Sequence, residues 1–337
     1  MKRGALPAYL LALGALALLT LLAFGVGRYP LPPADLLALA ANKLFGASYA
    51  IPPTAETVVL QVRGPRILAA LLVGAALAGS GTAYQGMFRN PLVSPDILGV
   101  SAGAALGAVL GIFTSQSALV IQLAAFAGGL AAVGLVYFVG SRVRRYDPIL
   151  SLILAGIVLG TLLGAFIALI KYLADPYNQL PAITYWLLGS LAAISPGDLA
   201  LAAPFALAGL VPLFLLRWRI NLLSLADDEA RSLGVSLGRL RLAVVCAATL
   251  MTAAAVAISG IIGWVGLLIP HAARMLVGPE FSRLLPVAMA LGAAFLLAVD
   301  TLCRTIAPIE VPPGVLTALI GTPFFLWIFV GARRAWQ

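Results

Sequence analysis

The sequence predicts an all-α membrane protein: a polytopic bundle of about ten transmembrane helices forming a single domain over residues 1–337. Two observations predict it. Hydrophobic residues make up 62% of the chain and charged residues only 10%, with a mean hydropathy of +1.07, whereas soluble domains average roughly 45–50% apolar and ~25% charged residues. The apolar residues also come in continuous runs of roughly 20, the length that crosses a bilayer as a helix, without the period-two alternation of barrel strands.

The first run, PAYLLALGALALLTLLAFGVG, is expected to span at about 7–27. It is long for the apolar core of a signal peptide and no clear small-residue cleavage site comes after it, so it is read as a retained span. Further spans are expected at about 65–86, 95–113, 118–140, 148–172, 197–216, 240–258, 260–277, 284–304 and 314–331. Gly and Ala crowd several of them, as in VGAALAGSGTA, GVSAGAALGAVLG and AGIVLGTLLGA. Small residues let helix backbones approach closely in lipid, where apolar contact alone gives no drive, so a compact bundle is expected.

Alternating the spans from a cytoplasmic N-terminus places Arg28, Lys43, Arg63, Arg66, Lys171 and Arg304 outside and the rest of the 21 Lys and Arg inside, including Lys2, Arg3, Arg144, Arg145, Arg333 and Arg334. That bias satisfies the positive-inside rule with both termini cytoplasmic, and it explains the net charge of +9 without nucleic acid. Cys246 and Cys303 sit inside apolar runs and read as packing residues. Two cysteines and one His give no basis for a metal site.

One segment breaks the pattern. SLADDEARSLGVSLGRLRL, Ser224 to Leu242, is dense in charge and falls on the inner side. Asp227, Asp228 and Glu229 suit the first turn of a short helix, at the positive end of its dipole. Gly234 would end that helix, and a second short turn would run to Arg239, placing two short helices over about 225–238. On the residues alone this is either a capped surface loop or a rigid knob that a partner grips.

E-A-R-S-L-G-V (Glu229 to Val235) resembles the coupling loop of binding-protein-dependent ABC importer permeases. Four further segments, from Arg63 to Arg66 (R-G-P-R), Gln85 to Gly103, Ile258 to Arg274 and Pro312 to Phe325, are similar to the FecCD family in the family's order. The resemblance implies a type II ABC importer permease: a homodimer with two ATP-binding subunits below and a periplasmic or lipid-anchored substrate-binding protein above. It implies that Asp227, Asp228, Glu229, Ala230, Arg231, Leu233 and Gly234 form the ATPase-coupling loop, and that Arg63, Arg66 and Arg304 dock onto the binding protein's carboxylates. The alternative for these arginines is snorkelling to lipid phosphates. Asn90, Pro91 and Leu92 would lie at the cytoplasmic gate. The implied cargo is an iron chelate (siderophore or haem) or cobalamin, with molybdate or another oxyanion as the alternative.

The chain lacks a G-x-x-x-x-G-K-[ST] phosphate loop. It is therefore expected to bind no cofactor and to hold no catalytic residue, ATP and Mg belonging to the partner ATPase. His271 and Arg274 are expected to make structural hydrogen bonds. Asp300, the most embedded acid, is expected to pair with Arg304 four residues on. Tyr185 and Trp186 suit the interface belt. The rival readings are an ion-coupled secondary transporter, which would need ionisable groups near mid-membrane, and an intramembrane enzyme, which would need a nucleophile with a base or a metal cluster.

Overall fold

The structure, a computed structural model, describes residues 5–27, 29, 31–142 and 148–332. Lys2, Arg3, Arg28, Arg144, Arg145, Arg333 and Arg334 of the charge count lie outside the described residues. The described chain folds as α1 (Ala5–Gly25), α2 (Pro33–Phe45), α3 (Pro53–Thr57), α4 (Gly64–Phe88), α5 (Val100–Phe113), α6 (Ala118–Arg142), α7 (Pro148–Leu173), α8 (Gln179–Leu188), α9 (Pro196–Leu215), α10 (Arg217–Asn221), α11 (Asp227–Ser232), α12 (Leu237–Ser259), α13 (Val265–Val277), α14 (Phe281–Thr305) and α15 (Pro313–Ala332). Six helices are long and apolar enough to cross a membrane; shorter apolar helices at Tyr9–Gly25, Val100–Phe113, Val265–Val277 and Pro313–Trp327 stand where the remaining spans are expected.

α4 and α12 form the centre, with 78% of each apolar window buried inside the chain, against 6% for α7. Glycine decides how closely α4 meets α14: a Cβ on Gly74 would run into the carbonyl of Gly292, and one on Gly292 into that of Gly74. Backbone contact of this kind lets dispersion act over the full length of two helices in a solvent as apolar as their side chains.

Three elements depart from expectation. The span expected from 95 starts as α5 at Val100, because Pro95–Leu98 forms a 3-10 turn closed by Gly99 at φ +77°. The span expected from 260 starts as α13 at Val265, after Gly260 at φ +66° and Trp264 at φ +73° break the helix. Positive φ suits glycine and costs a Cβ-bearing residue such as tryptophan, so the bend at Trp264 is held by its surroundings: its ring packs against Gly321 and lies edge-on to Phe325 at 6.3 Å.

The third is α2, which no expected span covers. Its signals are local: Pro33 in the first turn, Asp35 near the N-terminus, Lys43 in the last turn and Gly46 in the left-handed cap. Leu39 of α2 packs with Leu31, Ala55 and Val59, and Lys43 pairs with Glu56 at 2.9 Å. From Val58 to Arg63 the helix that leads into α4 widens into a π turn. An extra residue per turn rotates the helix beyond it, and such bulges sit often at functional positions.

Candidate functional site

Polar chemistry gathers at the two ends of the bundle. At one end α11 projects as a short helix with Asp227, Asp228 and Glu229 in its first turn. Gly234 at φ +77° closes it, donating its N–H to the Arg231 carbonyl at 2.9 Å, while Val235 donates to the Ala230 carbonyl at 3.3 Å. Such a left-handed cap satisfies carbonyls that the helix end leaves open. Ala230 is wholly buried and roots the helix, whereas Asp228, Glu229, Arg231 and Ser232 are exposed and Leu233 is 60% exposed at the tip.

The expected second turn running to Arg239 is not there. Leu237 and Leu240 are buried and already belong to α12, which carries Arg239 and Arg241 in its opening turns. The companion of α11 lies upstream: α10 and the 3-10 turn Leu222–Ser224, rooted by buried Ile220 and Leu223. The apolar period of the spanning helix therefore begins before the last charged residues of the segment.

Asp227 ties this knob to the bundle. It accepts from Arg241 Nη2 at 2.8 and 3.0 Å and from Arg89 Nη2 at 3.3 Å. Arg89 also donates to the Leu225 carbonyl at 3.1 Å, and at φ +51° it ends α4 and turns the chain into Asn90, Pro91 and Leu92. The Asn90 side chain accepts from the Leu92 N–H at 2.9 Å, and Leu92 is 50% exposed. Beneath this loop Gln85 donates to the Val93 and Leu267 carbonyls at 3.3 and 3.0 Å. Its other amide atom accepts from Arg274 at 3.2 Å. Arg274 thus makes the hydrogen bond expected of it, joining α13 to α4.

At the opposite end Arg63, Arg66 and Arg304, the residues expected to dock onto a partner's carboxylates, are all buried within the single chain. Arg63 donates to the Phe24, Gly25 and Tyr29 carbonyls, with Gly27 pressed against its guanidinium. Phe24 and Gly25 close α1, so the cation sits where the helix dipole is negative and the last carbonyls lack partners. Arg66 donates Nε to Asp300 at 2.9 and 3.1 Å, and its Nη1 and Nη2 reach Glu310 at 3.1 and 3.0 Å. Asp300 also meets Arg304 at 3.2 Å, the expected pair four residues apart. Sequence reasoning missed Arg66 as the main partner of Asp300 and missed Glu310 altogether. The clusters place residues 26, 63, 66, 304 and 310 at one end and 89, 227, 241 and 274 at the other, as strict alternation of the spans requires.

A turn at Asp175, just past the end of α7, leads into α8. Asp175 accepts the backbone N–H of Tyr177 at 3.2 Å and that of Asn178 at 3.1 Å. These donors hold its carboxyl below the usual carboxylate range, the Tyr177 amide foremost. Tyr185 is half exposed and its hydroxyl lies 2.8 Å from that of Ser190. Both line a cavity of about 370 Å³ together with Gln122 and Asp198. A second cleft of about 720 Å³ runs beside Leu188, Trp264 and Thr322. Among the described residues no group of three or more His, Cys, Asp or Glu could hold a metal ion.

Among the described residues the chain is an all-helical bundle of membrane-spanning type, with a rooted polar knob at one end and a buried charge cluster at the other, and its relatives are solute permeases. The chain belongs to the FecCD transport family, whose profile matches residues 15–331. It is 41% identical over 327 residues to the molybdate import system permease MolB of Haemophilus influenzae, covering 96% of each chain. It is 44% identical over 276 residues to a probable iron chelatin transport system permease of Helicobacter pylori, covering 82% of this chain and 83% of that one. A solved structure of a metal-chelate type ABC transporter in an inward-facing conformation superposes with TM-score 0.84 at 40% identity, covering 94% of this chain and 96% of that one.

Proposed function

We propose that this chain is the membrane subunit of an ATP-driven importer that carries an iron chelate (siderophore or haem) or cobalamin inward by alternating access. The permease pairs with a second copy of itself. A separate ATPase grips the α11 knob from the cytoplasm, and a soluble or lipid-anchored binding protein delivers cargo to the Arg66 end. Both termini are cytoplasmic, and the membrane is the bacterial or archaeal cytoplasmic membrane.

The observation that carries this reading is α11 itself: a capped helix rooted by Ala230, with exposed Glu229 and Leu233 and a tie through Asp227 to Arg89, the residue before the Asn90–Leu92 loop. A partner that moves the knob moves the end of α4 with it. Pairing with a second copy is supported by α7, whose apolar window is only 6% buried and whose Gly160 and Gly164 meet nothing within 4 Å. Ion coupling is not favoured: Asp300, the buried acid of the charge cluster, is neutralised by two arginines at the bundle's end.

Similarity to MolB over nearly the whole of both chains supports molybdate as a second reading of the cargo. The deciding experiment reconstitutes the permease with its ATPase and binding protein in liposomes and offers ferric siderophore, haem, cobalamin and molybdate in turn. ATP-dependent accumulation of one of them names the cargo. Accumulation without the ATPase would overturn the proposal.

A further inference from the structure

Arg66 holds two carboxylates, and they differ in how they are held. Asp300 is wholly buried, sits on α14 and is shared with Arg304. Removing it would leave buried Arg304 without a carboxylate and Arg66 with Glu310 alone, so that pair is the fixed one. Glu310 meets the other edge of the same guanidinium in a bidentate pair at 3.1 and 3.0 Å, yet its side chain is 31% exposed. It sits on the short segment between α14 and α15, next to Ile309, which is 83% exposed. The backbone N–H of Val311, its neighbour, donates to the Cys303 carbonyl at 3.2 Å. The cluster therefore has a fixed inner half and an outer half that opens to water.

We infer that Glu310 is an internal stand-in for a partner's carboxylate, and that an acidic side chain of the docking binding protein displaces it from Arg66. This rests on the reading of that end as a docking surface, and deepens it. Exchange is cheap for a physical reason. The incoming carboxylate remakes the same two charge-assisted hydrogen bonds on a fork that is already oriented. The departing one is near enough to the surface to be hydrated. Arg66 is only 7% exposed and needs a carboxylate on this edge, while Glu310 is 31% exposed, so one carboxylate can replace another as long as the edge stays occupied. Arg63, Arg66 and Arg304 carry three positive charges against the two negative charges of Asp300 and Glu310, so the cluster still attracts an anion with Glu310 in place. Displacing Glu310 also frees the segment that leads directly into α15. Docking thereby loosens a span boundary and does more than tether the partner.

The test measures binding of the importer's substrate-binding protein, in soluble form, to the permease–ATPase complex in nanodiscs. Wild type, Glu310→Gln, Glu310→Ala and Glu310→Ala with Arg66→Ala are compared. Because Glu310 competes for the fork, removing it is expected to tighten docking by about three- to tenfold, roughly 1 kcal/mol, and adding Arg66→Ala is expected to cancel that gain. In the wild type, docking is expected to speed hydrogen exchange at the Val311 amide. Glu310 variants that bind with unchanged or weaker affinity overturn the inference while leaving docking at this surface intact. Wild type that shows no docking, with the double variant equal to it, removes the docking reading and this inference with it. Glu310→Gln keeps the side chain's size, so a folding defect confined to Glu310→Ala does not blur the outcome.

Discussion

Arg89 Nη2 and Asp227 Oδ1 lie 3.3 Å apart and join the end of α4 to the first residue of the projecting helix α11. This contact gives the knob a mechanical route to the Asn90–Leu92 loop. Both side chains are about one-third exposed, so the pair adds only ~0.2–1 kcal/mol to stability. In the proposed function its importance is in transmission. Arg89→Ala is expected to leave insertion and thermal stability close to wild type while lowering ATP-driven uptake several-fold. Uptake equal to wild type would show that motion reaches the loop another way.

Glu229→Arg reverses an exposed charge at the start of α11 without touching the buried root at Ala230. It also places a cation at the positive end of the short helix. Membrane insertion is expected to persist while ATPase stimulation falls to the basal rate. Leu233→Asp should weaken association with the ATPase in co-purification, since Leu233 is the exposed apolar tip. Undiminished co-purification of both variants would move the coupling surface elsewhere.

Asp300→Ala strips the shared carboxylate from two buried arginines, leaving Arg66 with Glu310 and Arg304 with no carboxylate. Leaving a buried charge unpaired costs about 3–5 kcal/mol, so the variant should lose most of its folded yield in size-exclusion chromatography. Asp300→Asn keeps an acceptor and is expected to be milder. A wild-type melting profile for the alanine variant would mean that water or lipid phosphate reaches this cluster.

Gly292→Leu drives a side chain into the backbone of α4 at Gly74. Forced overpacking costs about 1–3 kcal/mol where neighbours can shift, and a backbone carbonyl shifts less than a side chain does. The expected result is a clear drop in the thermal midpoint in detergent. The same substitution at Gly134, where nothing lies within 4 Å, should change little.

The turn at Asp175 supplies a pH dependence with a definite sign. Backbone and side-chain donors from Tyr177 and Asn178 hold the carboxyl below its ordinary value. Its stabilising effect is therefore complete at neutral pH and is lost only as pH falls through that depressed value. Protection of the Asn178 amide in hydrogen exchange should survive acidification through the usual carboxylate range, about pH 4, and vanish below it. Loss of protection well above that range would remove the turn's role in seating α8.

The spans were legible because lipid imposes a length and a hydropathy that each segment must meet alone. The short helix α11 was legible for a similar reason, since its acids, Gly234 and the chain around them act within two turns. α2 carried equally local signals in Pro33, Asp35, Lys43 and Gly46, but its 13 residues are too few for a spanning pattern. The late starts of α5 and α13 turn on Gly99, Gly260 and Trp264. Hydropathy does not register such breaks, because the residues around them stay apolar.

Sequence by itself determined that this chain lives in a membrane, how many times it has apolar length to cross, and which family it resembles. Each of those rests on composition, period or short-range order. Only the tertiary structure decided that Arg63 closes the end of α1 and that Arg66 is divided between Asp300 and Glu310, 234 and 244 residues away along the chain. A charged side chain in a low-dielectric bundle takes whichever partner the packing of helices brings within reach, and that choice is made in space.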